Sequence, residues 1–155
     1  VLRIRAEREI TRGRAAIVKA WYLRNTKNEQ LKEVMTVELN EQSNYLPYLL
    51  GRLFAVLEDI QQQANPKINT TIKDRYFNSA SATPATVFPL LINLAQKHLA
   101  KLDKGLVIHY NRKITELNSR ITQTLPARLT LPEQSAFQIG YYHETQKRYT
   151  KKEEV

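Results

Sequence analysis

A single broad apolar face organises the segment between residues 45 and 63. Its large apolar residues recur every three or four positions, which is the spacing of one side of an α-helix. These residues are Leu46, Leu49, Leu50, Leu53, Phe54, Leu57 and Ile60. A helix with so wide an apolar face must be covered by other helices, so the segment predicts the core helix of a bundle. Pro47 suits the first turn of this helix, and Gly51 would allow another backbone to pack closely against it.

The rest of the chain repeats the helical spacing, with few β-branched runs and only four glycines. Further helices are predicted at about residues 2–24, 70–78, 83–102, 106–125 and 131–150, with mostly loop at about 25–44. At 155 residues the chain has the length of about one domain. We therefore predict an all-α fold, a compact bundle of about five to six helices that forms a single domain over residues 1–155.

Thr83 and Pro84 are typical of the N-cap and the first position of a helix. The small residues before them, Ser79–Ala82, predict a turn. Pro89 either kinks the helix that begins at Pro84 or marks a second start, because proline lacks the N–H that an internal helical position uses.

Other residue types predict the ends of the later helices. Lys104–Gly105 is typical of a helix end, and Pro126 is expected to terminate the helix that follows. Thr130 with Glu133 predicts a capping box at the start of the last helix, where each residue satisfies a free N–H of the first turn.

The charge is strongly positive and unevenly distributed. The chain has 24 Lys and Arg against 15 Asp and Glu, a net charge of +9. Residues 1–27 hold eight basic and two acidic residues, residues 28–60 hold two and six, and residues 61–155 hold fourteen and seven. Two basic regions that flank an acidic one indicate binding to a polyanion, together with a separate region that faces protein or solvent. A basic protein that is merely soluble is the alternative.

The sequence excludes several other classes of function. There is no cysteine, which excludes disulfides, cysteine zinc sites and thiol catalysis and fits a reducing cytoplasm. No apolar run approaches the roughly 18 residues of a membrane span, so no membrane partner is expected.

No arrangement of residues in the chain is typical of catalysis. We expect His98 to be a core histidine on an apolar stripe, and His109 and His143 to lie at the surface or contact a partner. Glu58 and Asp59 are neighbours on a helix, so their side chains should diverge. We therefore predict no enzyme activity, no catalytic residue, no metal and no cofactor.

Nucleic acid is the polyanion that the basic residues fit best. Lysine and arginine at helical spacing neutralise phosphates without reading sequence. The candidate residues are Arg3, Arg5, Arg8, Arg12 and Arg14 near the start, Lys73 and Arg75 with Tyr76, and Lys97, Lys101 and Lys104 as one helical row. Tyr76 could stack on an unpaired base, although either Tyr76 or Phe77 is expected to anchor its short helix in the core. A solvated basic face is the alternative for each group.

Three stretches carry a family resemblance: LGRLFAVLE at 50–58, IKDRYF at 72–77 and SASATPATVFP at 79–89. Weaker matches begin at RAER, residues 5–8, and RAAIVKA, residues 14–20, and extend to GYYH at 140–143 and YTKK at 149–152. Together they resemble the C-terminal helical part of the large subunit of type I-C CRISPR interference complexes, the surveillance complexes called Cascade. The part of that subunit that handles the flanking motif of the target has no counterpart here.

The resemblance implies a specific role in antiviral defence. In type I-C systems the corresponding segment is also made separately, by internal translation initiation, as the small subunit of Cascade. Such subunits stack beside the backbone subunits that bind the CRISPR RNA, next to the large subunit and further copies of themselves. They help to hold the target strand and the displaced non-target strand of the R-loop.

Two other functions remain open from the residues alone. One is a free-standing helical protein that binds nucleic acid or acts as an adaptor outside a CRISPR complex. The other is a structural scaffold, in which the basic faces of one copy would contact the acidic segment 28–60 of another.

Overall fold

The computed structural model describes residues 39–153, with side chains described through residue 149, and this range folds into five α-helices without strands. The helices are α1 (Leu46–Ala64), α2 (Ile72–Ala82), α3 (Pro84–Leu99), α4 (Lys104–Arg120) and α5 (Leu131–Glu153). The prediction of an all-α fold is confirmed for this part of the chain. The helix predicted at about residues 2–24 lies outside the described residues.

Helix α1 is the core of the bundle. Every residue from 47 to 61 is buried, and α1 contacts each of the other four described helices. The predicted apolar face is therefore confirmed, but burial extends around the whole helix because neighbours cover it on several sides. Its polar residues must consequently find partners inside the protein.

Helices α1 and α5 approach each other backbone to backbone. A Cβ atom at Gly51 would overlap the carbonyl oxygen of Phe137 and lie 2.8 Å from the backbone nitrogen of Tyr141. A Cβ at Gly140 would likewise overlap the carbonyl oxygen of Tyr48. The close approach predicted at Gly51 is confirmed, and Gly140 supplies the matching gap on α5.

Helix α2 is longer than predicted. The expected turn at Ser79–Ala82 is wrong, since α2 continues to Ala82. The hydroxyls of Ser79 and Ser81 donate to the carbonyls of Tyr76 and Asn78, at 3.1 and 2.9 Å. These short side chains are thus satisfied by their own helix, which lets the small-residue run remain helical.

A single residue, Thr83, separates α2 from α3. Pro84 begins α3 as predicted, but the Thr83 hydroxyl donates 3.0 Å to the carbonyl of Ser79 instead of capping α3. Pro89 lies inside α3, which runs on to Leu99 without a second start. Pro89 is exposed, which places its ring on the solvent side of the helix.

The connection between α3 and α4 differs from the prediction. Lys104–Gly105 does not end a helix but begins α4, and the carboxylate of Asp103 caps that helix by accepting the Leu106 N–H at 3.0 Å. No described glycine has a positive φ, so Gly105 does not act as a left-handed helix terminator. Helix α4 ends at Arg120, six residues before Pro126, so the prediction that Pro126 terminates it is wrong.

The start of α5 shows the Glu133 half of its predicted capping box. The Glu133 carboxylate accepts hydrogen bonds from the N–H and the hydroxyl of Thr130, at 2.6 and 2.8 Å.

The described helices include none whose length and apolar character would suffice to cross a membrane.

Candidate nucleic-acid interface

The loop between α1 and α2 borders an open pocket of about 400 Å³. We call it the loop pocket. Its lining consists of Gln61 from α1, Ile68, Asn69 and Thr70 from the loop, Ile72, Arg75 and Tyr76 from α2, and Leu94 from α3. Two residues predicted to bind nucleic acid, Arg75 and Tyr76, therefore lie beside a pocket that the sequence did not indicate.

Local hydrogen bonds hold the walls of the loop pocket. The side-chain oxygen of Gln61 accepts the Ile72 N–H at 2.8 Å, which joins the end of α1 to the start of α2. The Asp74 carboxylate accepts the N–H and the hydroxyl of Thr71, at 2.7 and 3.2 Å. An acidic side chain that takes the free N–H at a helix start stabilises that end.

The neighbouring aromatic residues Tyr76 and Phe77 differ in their contacts. The Phe77 ring packs edge-on against Phe54, Phe137 and Tyr141, with centroid distances of 5.5, 5.5 and 5.0 Å. Tyr76 is half-buried and lines the loop pocket. Both residues pack against the hydrophobic core, so both anchor α2, and Tyr76 in addition lines the pocket.

Lys73 and Arg75 lie on different sides of α2. Lys73 is half-buried, and its Nζ lies 4.9 Å from the centroid of the Tyr141 ring, a cation–π contact with α5. Arg75 is exposed at the edge of the loop pocket. Residues two apart on a helix point in nearly opposite directions, so these two cations do not form one patch.

The end of α3 brings further cations toward the same loop. Lys97 is exposed one turn beyond Leu94, on the same side of α3. His98 is half-buried and accepts a hydrogen bond at Nδ1 from the Asn65 side-chain amide at 3.2 Å. The Lys101 N–H donates to the His98 carbonyl at 3.0 Å. Burial and then the charge of Lys101 lower the pKa of His98.

Lys67 adds a fourth cation that sequence reasoning missed. It is exposed on the loop itself, in a segment where a lone lysine carries no helical pattern. Lys67, Arg75, Lys97 and Lys101 are hereafter called the loop cations. Lys104 is also exposed, but the predicted row of Lys97, Lys101 and Lys104 on one helix is wrong, because α3 ends at Leu99 and Lys104 begins α4.

The candidates nearest the start of the chain lie outside the described residues. They are Arg3, Arg5, Arg8, Arg12 and Arg14.

The other charged cluster is internal and connects α1, α4 and α5. Arg52 Nε lies 3.0 Å from Glu144 Oε2, and Lys113 Nζ lies 3.5 Å from Glu144 Oε1. Arg148 pairs with Asp59 at 2.8 Å. These side chains hold the bundle together and offer little charge to solvent.

Tyrosines complete the internal cluster. The Tyr141 hydroxyl donates to Glu58 at 2.6 Å, and the Tyr110 hydroxyl donates to Asp59 at 2.8 Å. Burial, then the neighbouring carboxylate, raises the pKa of each tyrosine well above its ordinary value. Glu58 and Asp59 therefore have separate partners, as expected for adjacent positions on a helix.

The remaining histidines differ in their surroundings. His143 is buried, and its Nδ1 lies 2.9 Å from the Tyr48 hydroxyl, so its predicted surface position is wrong. Burial is the main cause that raises the pKa of Tyr48 to about 12. His109 is exposed, as predicted. Within residues 39–149, no three His, Asp or Glu side chains are grouped so that they could hold a metal ion.

Acidic and basic side chains are used differently across the described part of the chain. Three of its four exposed acidic residues have partners within the bundle: Glu41 pairs with Lys147, and Asp74 and Asp103 accept the backbone N–H groups of Thr71 and Leu106. Seven basic residues are exposed and make no ion pair with the described residues. They are Lys67, Arg75, Lys97, Lys101, Lys104, Arg112 and Arg128.

Comparison with known families gives one match over nearly the whole chain. A family model described as CRISPR-associated protein (Cas_Csd1) matches residues 1–149. A comparison with curated proteins found no match.

Proposed function

Because the chain belongs to the Cas_Csd1 family of CRISPR-associated proteins, we propose that it is a non-catalytic subunit of an RNA-guided surveillance complex. In this proposal it acts as the small subunit of a type I-C Cascade. It packs on the backbone subunits that carry the CRISPR RNA, beside the large subunit and further copies of itself. The loop cations hold the target and displaced DNA strands of the R-loop through their phosphates.

The observation that carries this proposal is that most exposed acidic residues have partners within the bundle, whereas seven exposed basic residues form no ion pair there. The seven exposed cations have no carboxylate partner within residues 39–149, so they remain available to a polyanion. Each phosphate that they neutralise would release a condensed counterion, which favours binding without reading sequence. Such contacts suit an R-loop, where guide pairing reads the sequence and strand exchange is nearly balanced in free energy.

Three of the six acidic residues on which the scaffold alternative depends are engaged within the bundle, and the other three, Glu29, Glu33 and Glu38, lie outside the described residues. Glu58 and Asp59, which belong to the acidic segment 28–60, are buried in the bundle. Glu41 of the same segment pairs with Lys147. These three carboxylates are therefore not available to bind the basic face of a neighbouring copy.

The first test is assembly of the complex. We expect the chain to co-purify with a CRISPR RNA-bearing complex when it is expressed beside its neighbouring genes. The isolated chain should bind nucleic acid weakly and without sequence preference. Tight, sequence-selective binding by the isolated chain, or its absence from the purified complex, would contradict the proposal.

The second test measures the contribution of the loop cations. In the assembled complex, the triple variant Arg75→Gln/Lys97→Gln/Lys101→Gln should lower the salt dependence of R-loop stability by about one unit of slope for each phosphate contact removed. The measurement is the dissociation of labelled target DNA over a range of salt concentrations. An unchanged salt slope would exclude this surface as a phosphate contact.

Arg128→Gln is the matched control. Arg128 is exposed and precedes Leu129, whose N–H bonds to Ala82 at the opposite end of α2. Ala82 lies six residues beyond Tyr76, the last α2 residue of the pocket, which is about 9 Å along the helix axis. An equal loss of slope for each residue in the triple variant and for Arg128→Gln would indicate a general charge effect. Lys73→Gln is tested separately, because it also removes the contact with Tyr141.

A further inference from the structure

The loop pocket contains chemical groups that phosphate binding does not require. Exposed cations suffice to hold a phosphate backbone, whereas this pocket adds an aromatic ring, side-chain amides and apolar walls. We propose that it receives one unpaired nucleobase of a DNA strand, with the adjoining phosphate at Arg75. This inference rests on the proposed function and adds that the surface recognises an unpaired strand and not a base-paired one.

The dimensions and walls of the pocket suit one nucleotide. Its volume of about 400 Å³ lies within the range of about 300–1,000 Å³ typical of small-molecule sites. Ile68 and Leu94, both half-buried, supply apolar surface, and Tyr76 supplies a flat ring. A base that leaves a solvated strand would bury its faces against these groups.

Tyr76 is held in position before any ligand arrives. Tyr76 itself packs against the hydrophobic core, and its neighbour Phe77 has three aromatic contacts there that fix the rotation of α2. A preorganised side chain loses little conformational freedom on binding. Stacking of a base on an aromatic residue tolerates every base, because each base has a π face.

Polar groups of the pocket can bind the edge of a base. The Gln61 oxygen is engaged by the Ile72 N–H, which fixes the side chain, while the Gln61 amino group has no partner among the described residues. Asn69 and Thr70 are exposed on the loop and line the same pocket. Amide and hydroxyl groups of this kind bind the edges of bases that are not paired.

The placement of the cations agrees with a strand that passes over the pocket. Arg75 lies at the pocket, Lys67 lies on the loop that borders it, and Lys97 lies one turn beyond Leu94. Phosphates on either side of an inserted base would therefore meet positive charge. A base within a duplex is stacked and paired, so the pocket should favour an unpaired strand over a duplex of equal charge.

Binding of the full chain to short labelled oligonucleotides tests this inference. The probes are a 12-nucleotide single strand, the same backbone with abasic sites at all central positions, the corresponding duplex, and a free deoxynucleoside monophosphate. Fluorescence anisotropy at low salt gives the affinity for each labelled strand, and competition gives the affinity for the monophosphate. The wild-type chain should bind the single strand more tightly than the abasic strand or the duplex.

Substitution of Tyr76 should remove this preference. Tyr76→Leu keeps an apolar side chain but removes the ring, and should weaken binding of the single strand by about 5- to 150-fold, the range that corresponds to loss of one stacked base. Binding of the abasic strand should not change, and Tyr76→Phe should retain the preference. Tyr142→Leu is the control for loss of a half-buried tyrosine outside the pocket. Circular dichroism and thermal unfolding report whether each variant folds.

The outcomes separate this inference from the proposed function. If wild type binds single and abasic strands equally while Arg75→Gln weakens both, phosphate contact stands and the base site is excluded. If the monophosphate competes as well as the single strand, the pocket is a site for free nucleotides and the strand proposal is wrong. If no strand binds to the chain or to its assembled complex, both proposals fail.

Discussion

The α1–α5 interface and the surface around the loop pocket both contain charged residues, but they use charge in opposite ways. At the interface, Arg52 meets Glu144 and Arg148 meets Asp59, and these side chains are largely removed from water. Around the loop pocket the cations are exposed and make no ion pair with the described part of the chain. The same residue types therefore stabilise the bundle in one region and remain available to a ligand in the other.

The physical reason for the difference is the cost of removing a charge from water. A buried charge requires a charged or hydrogen-bonded partner, whereas an exposed one is already solvated. A net charge of +9 does not distinguish the two situations. Only the partners of each side chain show which charges remain for a polyanion, and the comparison can be tested by removing charges from each region in turn.

Removal of one internal carboxylate should have the largest effect on stability. Glu144→Gln removes the charged partner of the Arg52 guanidinium. Arg52 is only 3% exposed, and its Nη1 already has no partner among the described residues. The free energy of unfolding should fall by about 3–5 kcal/mol, as expected when one half of a buried ion pair is removed. Denaturation in urea measures the change.

Arg75→Gln provides the comparison from the other region. As an exposed substitution without an ion pair it should change the free energy of unfolding by no more than about 0.5 kcal/mol. If Glu144→Gln were as mild as Arg75→Gln, the distinction between an internal and an available set of charges would be wrong.

Loss of the close approach between α1 and α5 should have the next largest effect. Gly140→Ala forces a methyl group into the carbonyl of Tyr48, and backbone atoms cannot move aside as a side chain can. We expect a loss of about 1–3 kcal/mol of unfolding free energy, the usual cost of overpacking, measured by urea or thermal denaturation. Gly105→Ala is the matched control, because its nearest neighbour is the Asp103 side chain at 3.2 Å. Equal losses for the two variants would show that the effect of Gly140→Ala does not come from this interface.

The smallest expected effect concerns His98 at the edge of the loop surface. Burial and the nearby Lys101 hold its folded-state pKa below the ordinary value of about 6.5. The unfolded chain therefore binds the proton more readily, and stability should fall as pH decreases from about 6.5 toward the folded-state pKa. Protonation also removes the acceptor for the Asn65 amide.

The variant His98→Gln isolates this contribution. Between about pH 7.5 and about pH 5.5 its stability should depend less on pH than that of the wild-type chain. His109 and His143 are present in both proteins and serve as the internal reference. Identical pH profiles for both proteins would exclude the predicted role of His98.

Much of the helical fold could be predicted because local patterns specify it. The apolar spacing of α1, the Pro84 start of α3 and the Thr130–Glu133 cap each depend on residues within a few positions of one another. The errors arose where short polar residues have two compatible conformations. The residues Ser79–Ala82 are compatible with a turn or with a helix. They are helical in the structure because the serine hydroxyls donate to carbonyls of α2 itself.

The candidate site was predicted less completely. Arg75 and Tyr76 were identified from a basic and aromatic cluster, but the pocket that they line also requires Gln61 and Leu94, which come from other helices. Lys73 belongs to the same sequence cluster yet contacts Tyr141. Lys67 was missed because a single lysine in a loop has no periodic neighbours.

The amino-acid order alone determines that this chain is helical, that α1 is its core and that cations exceed carboxylates. The helices follow from residue spacing, which acts over one or two helical turns, and the excess of cations follows from the composition of the whole chain. Tertiary structure decided which charges are paired inside the bundle and which remain exposed to a ligand. The partner of Arg52, for example, lies 92 positions away at Glu144. The loop pocket depends on tertiary structure for the same reason, since three helices and a loop must meet before its walls exist.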